Sequence, residues 1–279
     1  MPELPEVETV CRGLAQNIIH KHISKVTARR RDLRVPLPAN FEKALEKKEI
    51  TRIARRAKYI LIHLDNDAIL VIHLGMSGTL ILHEKLPKTF RKHDHVIIEF
   101  APDKKSKIGY MVFHDPRRFG LMALTSKTTF AKHKLFVNLG PEPLDKKLNG
   151  EYLYTILQSS KAPVKSVIMD QRKLVGVGNI YACEALFRAH IHPERAANKV
   201  TQKEATALVV QIKKVLEAAI KSGGSTVRDY VRSSGDSGYF QHHFSVYGRK
   251  GLPCLSCKTP VSVIRQSGRS TFFCANCQK

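Results

Sequence analysis

Apolar residues recur at helical spacing almost from the start of the chain. Val7, Val10, Leu14 and Ile18 fall on one helix face, and Pro5, Glu6 and Glu8 crowd the first turn, where a fixed φ and negative charge suit the unpaired amides. From about residue 23 to residue 124 the pattern becomes strand-like, as in the runs Tyr59 to Leu64, Ala68 to Leu74 and His95 to Phe100. Asp65-Asn66-Asp67 and Pro102-Asp103 supply turns between such runs, which predicts an antiparallel sandwich or barrel. The register changes near Leu139-Gly140-Pro141-Glu142-Pro143, and from about residue 150 to residue 222 the pattern is helical. Leu208, Val209, Ile212, Val215, Leu216 and Ala219 mark a helix from Lys203 to Lys221, stopped by Gly223-Gly224. The stretch Ser225 to Tyr247, rich in Gly, Ser and charge, reads as a mobile loop. The expected fold class is α+β in two domains: an N-terminal domain over 1–130, a linker over 131–149, a helical domain over 150–248 and a small C-terminal segment over 249–279.

Charge narrows the class of partner. The 279 residues carry 47 Lys+Arg against 24 Asp+Glu, a net charge of +23, and the sequence pI is near 9.9. Such an excess suits a polyanion, because cations that neutralise phosphates release condensed counterions and give sequence-independent affinity. A merely solvated basic surface is the bland alternative. No stretch approaches the roughly 18 consecutive apolar residues of a membrane span, and the chain opens with acids instead of a basic and then apolar leader. A soluble, unexported, cytoplasmic protein with no membrane partner is expected.

Four of the six cysteines cluster as Cys254-x2-Cys257-x16-Cys274-x2-Cys277, two thiolate pairs suited to one tetrahedral zinc ion. With four sulfurs and no open position, that zinc is structural; it would hold a hairpin too small to be stable alone. Val261 to Ile264 and Thr271 to Phe273 read as its strands, joined through Gln266-Ser267-Gly268, and Arg269 beside the turn could reach a phosphate. Cys11 and Cys183 stand apart and read as buried, inert thiols.

The opening Met1-Pro2-Glu3-Leu4-Pro5-Glu6-Val7-Glu8 looks like an N-terminal nucleophile. Initiator Met is commonly removed before proline, which would leave Pro2 with a free secondary amine; with Met1 attached, the same nitrogen is an amide without a usable lone pair. The free amine can attack a sugar C1′ as a damaged base departs, giving an iminium ion that remains a strong electron sink. Glu3 is placed to shuttle protons, whereas Glu6 and Glu8 read first as helix-starting acids. Gly176-x-Gly178 lacks the third glycine and the strand of a dinucleotide fingerprint. His114-Asp115 and His242-His243 lack evident partners and read as structural.

These residues resemble the formamidopyrimidine-DNA glycosylase family over essentially the whole chain. The family's opening PELPEVE stands as Pro2 to Glu8. Ala57-Lys58-Tyr59, His73 to Gly78, Lys92 to His95, Asp115 to Gly120, Met169-Asp170-Gln171, Gly176 to Tyr181, Gly223 to Thr226 and the four-cysteine finger follow in family order. The resemblance implies an N-terminal antiparallel β-sandwich with flanking helices, a helix-two-turn-helix domain and a zinc-finger β-hairpin. It implies a monomeric, bifunctional glycosylase and abasic-site lyase that takes oxidised purines out of double-stranded DNA by a Schiff base on Pro2 and β,δ-elimination. Glu3 would be the proton donor, Lys58 would assist elimination, and Arg269 would hold a phosphate and serve the second elimination. Phosphate gripping is implied for Lys58, His73, Asn179 and Arg269, and further DNA contacts for His93, Arg117 and Lys161. Met76, Arg117 and Phe119 resemble the wedge that fills the gap left by an extruded nucleotide. The Ser225 carbonyl is a candidate acceptor for the N7–H of 8-oxoguanine. Cys183 departs from the Asp or Ser frequent in the family and reads as a packing change. The sister enzyme for oxidised pyrimidines is the nearest rival, but Leu4 and the long loop after Ser225 favour the purine branch. A non-catalytic zinc-ribbon DNA-binding protein would not explain the N-terminal motifs.

Overall fold

A computed structural model describes residues 2–103, 106–224 and 244–279. These divide into two compact units, one running up to Val137 and resuming at Gly223 and Gly224, the other formed by Asn138–Ser222 and the residues from 244 onward.

In the first unit, helix α1 (Leu4–Ile18) is followed by β1 (Ile23–Ala28), α2 (Phe41–Leu45), β2 (Ile50–Arg56), β3 (Tyr59–Leu64), β4 (Ala68–His73), β5 (Thr79–His83), β6 (Asp94–Phe100), β7 (Tyr110–His114) and β8 (Leu121–Ser126). Two four-stranded antiparallel sheets result, ordered β1-β6-β7-β5 and β2-β3-β4-β8. Alternate residues Ile60, Ile62 and Leu64 of β3 enter a core shared with Val96, Ile98 and Phe100 of the other sheet and with Val7, Val10, Leu14 and Ile18 of α1. The sandwich expected from the alternation is therefore present. Leu61, Ile69 and Val71, on the opposite strand faces, are buried as well, which is why these runs read as continuously apolar. The strand-like region also contains α2, whose Phe41 and Leu45 enter the same core; five residues are too few for helical periodicity to stand out.

The second unit carries α3 (Gly150–Gln158), α4 (Val164–Ile168), α5 (Asn179–Arg188), α6 (Gln202–Lys221) and the hairpin β9 (Ser262–Gln266) and β10 (Arg269–Phe273). Helix α6 opens with a Thr201–Glu204 capping box and buries the six apolar residues that its periodicity singled out. The hairpin turns on Ser267 and Gly268, both at positive φ, which matches the twist of the strands. Most of the stretch expected to be a loop, with Ser225 and His242-His243, lies outside the described residues. Its end is firmly held: the fully buried Glu184 of α5 accepts the amides of Ser245, Val246 and Tyr247 at 2.9–3.1 Å.

Candidate functional site

The first turn of α1 places Pro2 and Glu3 in a buried setting. The Glu3 amide donates to Glu6 Oε2 at 2.9 Å, and the two residues close a capping box. Glu6, read first as a helix-starting acid, does that work from a position only 1% exposed. Glu8 takes the other side of the helix, where Arg12 and Arg55 each bond its carboxylate at 3.0 Å. Arg55 also donates to the Ala57 carbonyl at 3.0 Å, so the ion pair ties α1 to the turn that carries Lys58. Ala57 is in the left-handed region at φ 52, as a two-residue β2–β3 turn demands. Lys58 is buried on that turn.

His73, at the end of β4, senses Lys58. Burial first, then the positive charges of Lys58 and Arg34, push its imidazole down to about 4, so the ring is neutral at pH 7. Its Nδ1 accepts the Gly75 amide at 2.9 Å, which leaves the proton on Nε2, a donor suited to a phosphate oxygen. His93 lies with its ring centroid 5.9 Å from that of His95 and 6.3 Å from that of His114. Partial desolvation and then the neighbouring His95 and Lys92 hold its pKa below the ordinary value. The partner of His114 is Asp94, 2.7 Å from Nδ1.

Met76, Arg117 and Phe119 are exposed, as are Pro116 and Arg118, whereas Gly75, Ser77, Asp115 and Gly120 at the roots of the two turns are buried. The Arg117 guanidinium lies over the Phe119 ring, 4.9 Å from its centroid. Gly75, at φ 63, lets the two turns touch: a Cβ there would sit 2.3 Å from the Phe119 carbonyl carbon.

In the second unit Asn179 begins α5 and donates from Nδ2 to the Ser270 carbonyl at 2.8 Å, beside the exposed Arg269. The buried Lys165 bonds Asn179 Oδ1 at 2.5 Å and Thr271 Oγ1 at 2.6 Å, fixing which end of the carboxamide faces the hairpin. Lys165, Ser166, Met169, Asp170, Gln266 and Arg269 help to line a pocket of about 140 Å³. Sequence reasoning missed Lys165, Glu184 and the contacts of Asp115; a charged residue inside an apolar run was the only signal for the first two. Lys161 is exposed between α3 and α4.

The Sγ atoms of Cys254, Cys257, Cys274 and Cys277 lie within 4.8 Å of one another, with contacts of 3.9 Å between Cys254 and Cys277 and 3.4 Å between Cys257 and Cys274. Zinc–sulfur bonds of about 2.3 Å place tetrahedral ligands about 3.8 Å apart, so this donor set fits one structural zinc. Cys183 packs beside them with Phe187, Val246 and Val261. Cys11 is buried too, and desolvation pushes its thiol up to about 12, leaving it unreactive.

Comparison with known proteins gives a consistent result. Residues 1–122 match the formamidopyrimidine-DNA glycosylase N-terminal domain, 139–231 the formamidopyrimidine-DNA glycosylase H2TH domain, and 251–279 a zinc finger found in FPG and IleRS. The formamidopyrimidine-DNA glycosylase of Dinoroseobacter shibae is 47% identical over 289 residues, covering 100% of both chains. That of the Wolbachia subspecies from Brugia malayi is 45% identical, also over 100% of both. The crystal structure of MutM (Fpg) from Thermus thermophilus superposes with a TM-score of 0.88 at 36% identity, covering 99% of this chain and 98% of its own. Lactococcus lactis Fpg, in complex with DNA containing an abasic site, gives a TM-score of 0.90 at 33% identity over 100% of both chains.

Proposed function

The chain belongs to the formamidopyrimidine-DNA glycosylase family, and from that premise we propose how its own residues remove an oxidised base from double-stranded DNA. It is a DNA glycosylase of base excision repair. Its substrates are oxidised purines, chiefly 8-oxoguanine opposite cytosine and ring-opened formamidopyrimidines.

With Met1 removed, the Pro2 nitrogen donates its lone pair to the sugar C1′ as the glycosidic bond breaks and its electrons leave with the base. Glu3 moves protons to the departing base and to the opening sugar ring. The resulting iminium acidifies the C2′ proton, whose loss expels the 3′ phosphate; a second elimination expels the 5′ phosphate. Lys58 assists elimination, and Arg269 holds a phosphate through the second step. Lys58, His73, Asn179 and Arg269 grip the backbone, with His93, Arg117 and Lys161 as further contacts. Met76, Arg117 and Phe119 fill the vacated stack, and the Ser225 carbonyl reads the lesion. Residues 1–130 form the catalytic domain, and 150–248, reached through the linker 131–149, the helix-two-turn-helix DNA-binding domain with the lesion-recognition loop; 249–279 is the finger with its single structural zinc.

The observation that carries this reading is the buried Pro2 beside a Glu3 whose backbone is fixed by Glu6. That arrangement keeps an amine and a carboxyl together at a helix start. Borohydride reduction of protein mixed with an 8-oxoguanine duplex tests it. A covalent adduct is expected, in step with an intact mass lacking Met1; processed protein that gives no adduct refutes the mechanism. Faster excision of thymine glycol than of 8-oxoguanine would reassign the substrate.

A further inference from the structure

The wedge residues of the proposed reading sit on two separate corners of the sandwich. Residues 74–78 lead from β4 in one sheet to β5 in the other, and residues 115–120 lead back from β7 to β8. Because β4 pairs with β8 through His73–Leu121 and β5 pairs with β7 through Thr79–His114, the two corners run side by side. Strand pairing fixes the ends of both corners, and their backbones touch at Gly75 and Phe119, so any further link between them must come from side chains. A wedge made of Met76 from the first and of Arg117 and Phe119 from the second needs such a link.

The side-chain link is built on one carboxylate and the serine hydroxyl it holds. Asp115 is fully buried. Its Oδ1 accepts the Ser77 hydroxyl at 2.8 Å, next to Met76 on the first corner, and its Oδ2 accepts the Gly120 amide at 2.7 Å, next to Phe119 on the second. Ser77 Oγ in turn accepts the Arg117 amide at 3.2 Å. The Asp115 backbone is held as well: its carbonyl lies 2.8 Å from His95 Nε2 and its amide donates to the His93 carbonyl at 3.0 Å. Each exposed wedge residue is thus one or two positions from a buried polar anchor. A carboxylate is the side chain suited to this, because both its oxygens only accept and both partners donate.

We infer that Asp115 is a positioning residue for base extrusion: its carboxylate locks the Met76 corner to the Arg117–Phe119 corner, so that the wedge enters the stack as one preformed unit. The inference rests on the wedge reading above. A wedge with loose halves must be ordered during extrusion, which slows the step in which a stacked base leaves the helix. A site that has already lost its base avoids most of that step.

Asp115→Ala removes both acceptors, and with them the bonds to the Ser77 hydroxyl and the Gly120 amide. Ser77→Ala removes the bridging hydroxyl and leaves Asp115 in place, so it reads the same contact even if Asp115→Ala does not fold. Single-turnover excision of 8-oxoguanine and cleavage of a preformed abasic site in the same duplex are measured for both variants, with Phe119→Ala alongside. Both variants are expected to slow excision about tenfold, part of the unstacking barrier that the wedge offsets, with abasic-site cleavage within about twofold of the parent. Equal losses in both reactions would mean a merely structural role and overturn the inference. So would unchanged excision in both variants while Phe119→Ala is slow. Unchanged excision in Phe119→Ala would instead remove the wedge reading itself, and the inference with it.

Discussion

Acidification is expected to unfasten the first unit through His73. A free imidazole takes its proton at 6.5, whereas this one holds off until about 4, because burial strips water from the cation and Lys58 and Arg34 add positive potential. Between those two values the unfolded chain binds a proton that the folded chain refuses. Stability from this group is therefore fully present above 6.5 and is lost as the pH falls toward 4. The gap, 6.5 minus about 4, gives a ceiling of about 3 kcal/mol at about 1.4 kcal/mol per pH unit. Solvent still reaches part of the ring, so about 2 kcal/mol is the expected loss. Carboxylates titrate in the same range, and a variant is needed to isolate the ring. Urea melts from pH 7 to pH 4 on the parent and on His73→Gln should give curves whose separation changes by that amount. In parallel, the His73 ring resonances should titrate near 4, and Lys58→Met should move that midpoint upward by removing one of the two cations. A midpoint near 6.5, or parallel stability curves, would refute the desolvation of His73 and its coupling to Lys58 and Arg34.

Three further outcomes follow from named contacts. Glu184→Gln replaces part of a carboxylate that accepts three backbone amides, and should cost about 1–3 kcal/mol in a denaturant melt with faster hydrogen exchange at Ser245 to Tyr247; unaltered exchange there would contradict the anchoring. Arg269→Ala should weaken DNA binding and lower the slope of log affinity against log salt by about one phosphate's worth, whereas an unchanged slope argues against a phosphate contact. Cys257→Ser should release zinc and disorder β9 and β10 while the first unit still melts cooperatively, as metal analysis and circular dichroism would report; simultaneous loss of both units would break that division.

Apolar periodicity brought α1, α6 and the long strands into plain view, and spacing did the same for the metal-binding cysteines, because each depends on residues close together in the chain. The helix at Leu4–Ile18 and the hairpin around Ser267-Gly268 need nothing from the rest of the chain to be recognised. The site was legible in part for the same reason, since Pro2, Glu3 and the cysteine pairs form short, dense motifs. The partner of a buried polar group follows no such local rule. Asp115 read as structural beside His114, yet it meets Ser77, a residue 38 positions away. Lys165 reaches Thr271 across 106 positions, and Glu184 holds amides 61 to 63 positions further on. Burial removes water from each of these groups and obliges it to find a protein partner, but only the closing of the sandwich corners and the docking of the hairpin decide which one is within reach. The sequence by itself determined the long elements, the cysteine cluster and the candidate N-terminal motif, because each is local in the chain; the tertiary structure decided which polar groups hold those parts in position.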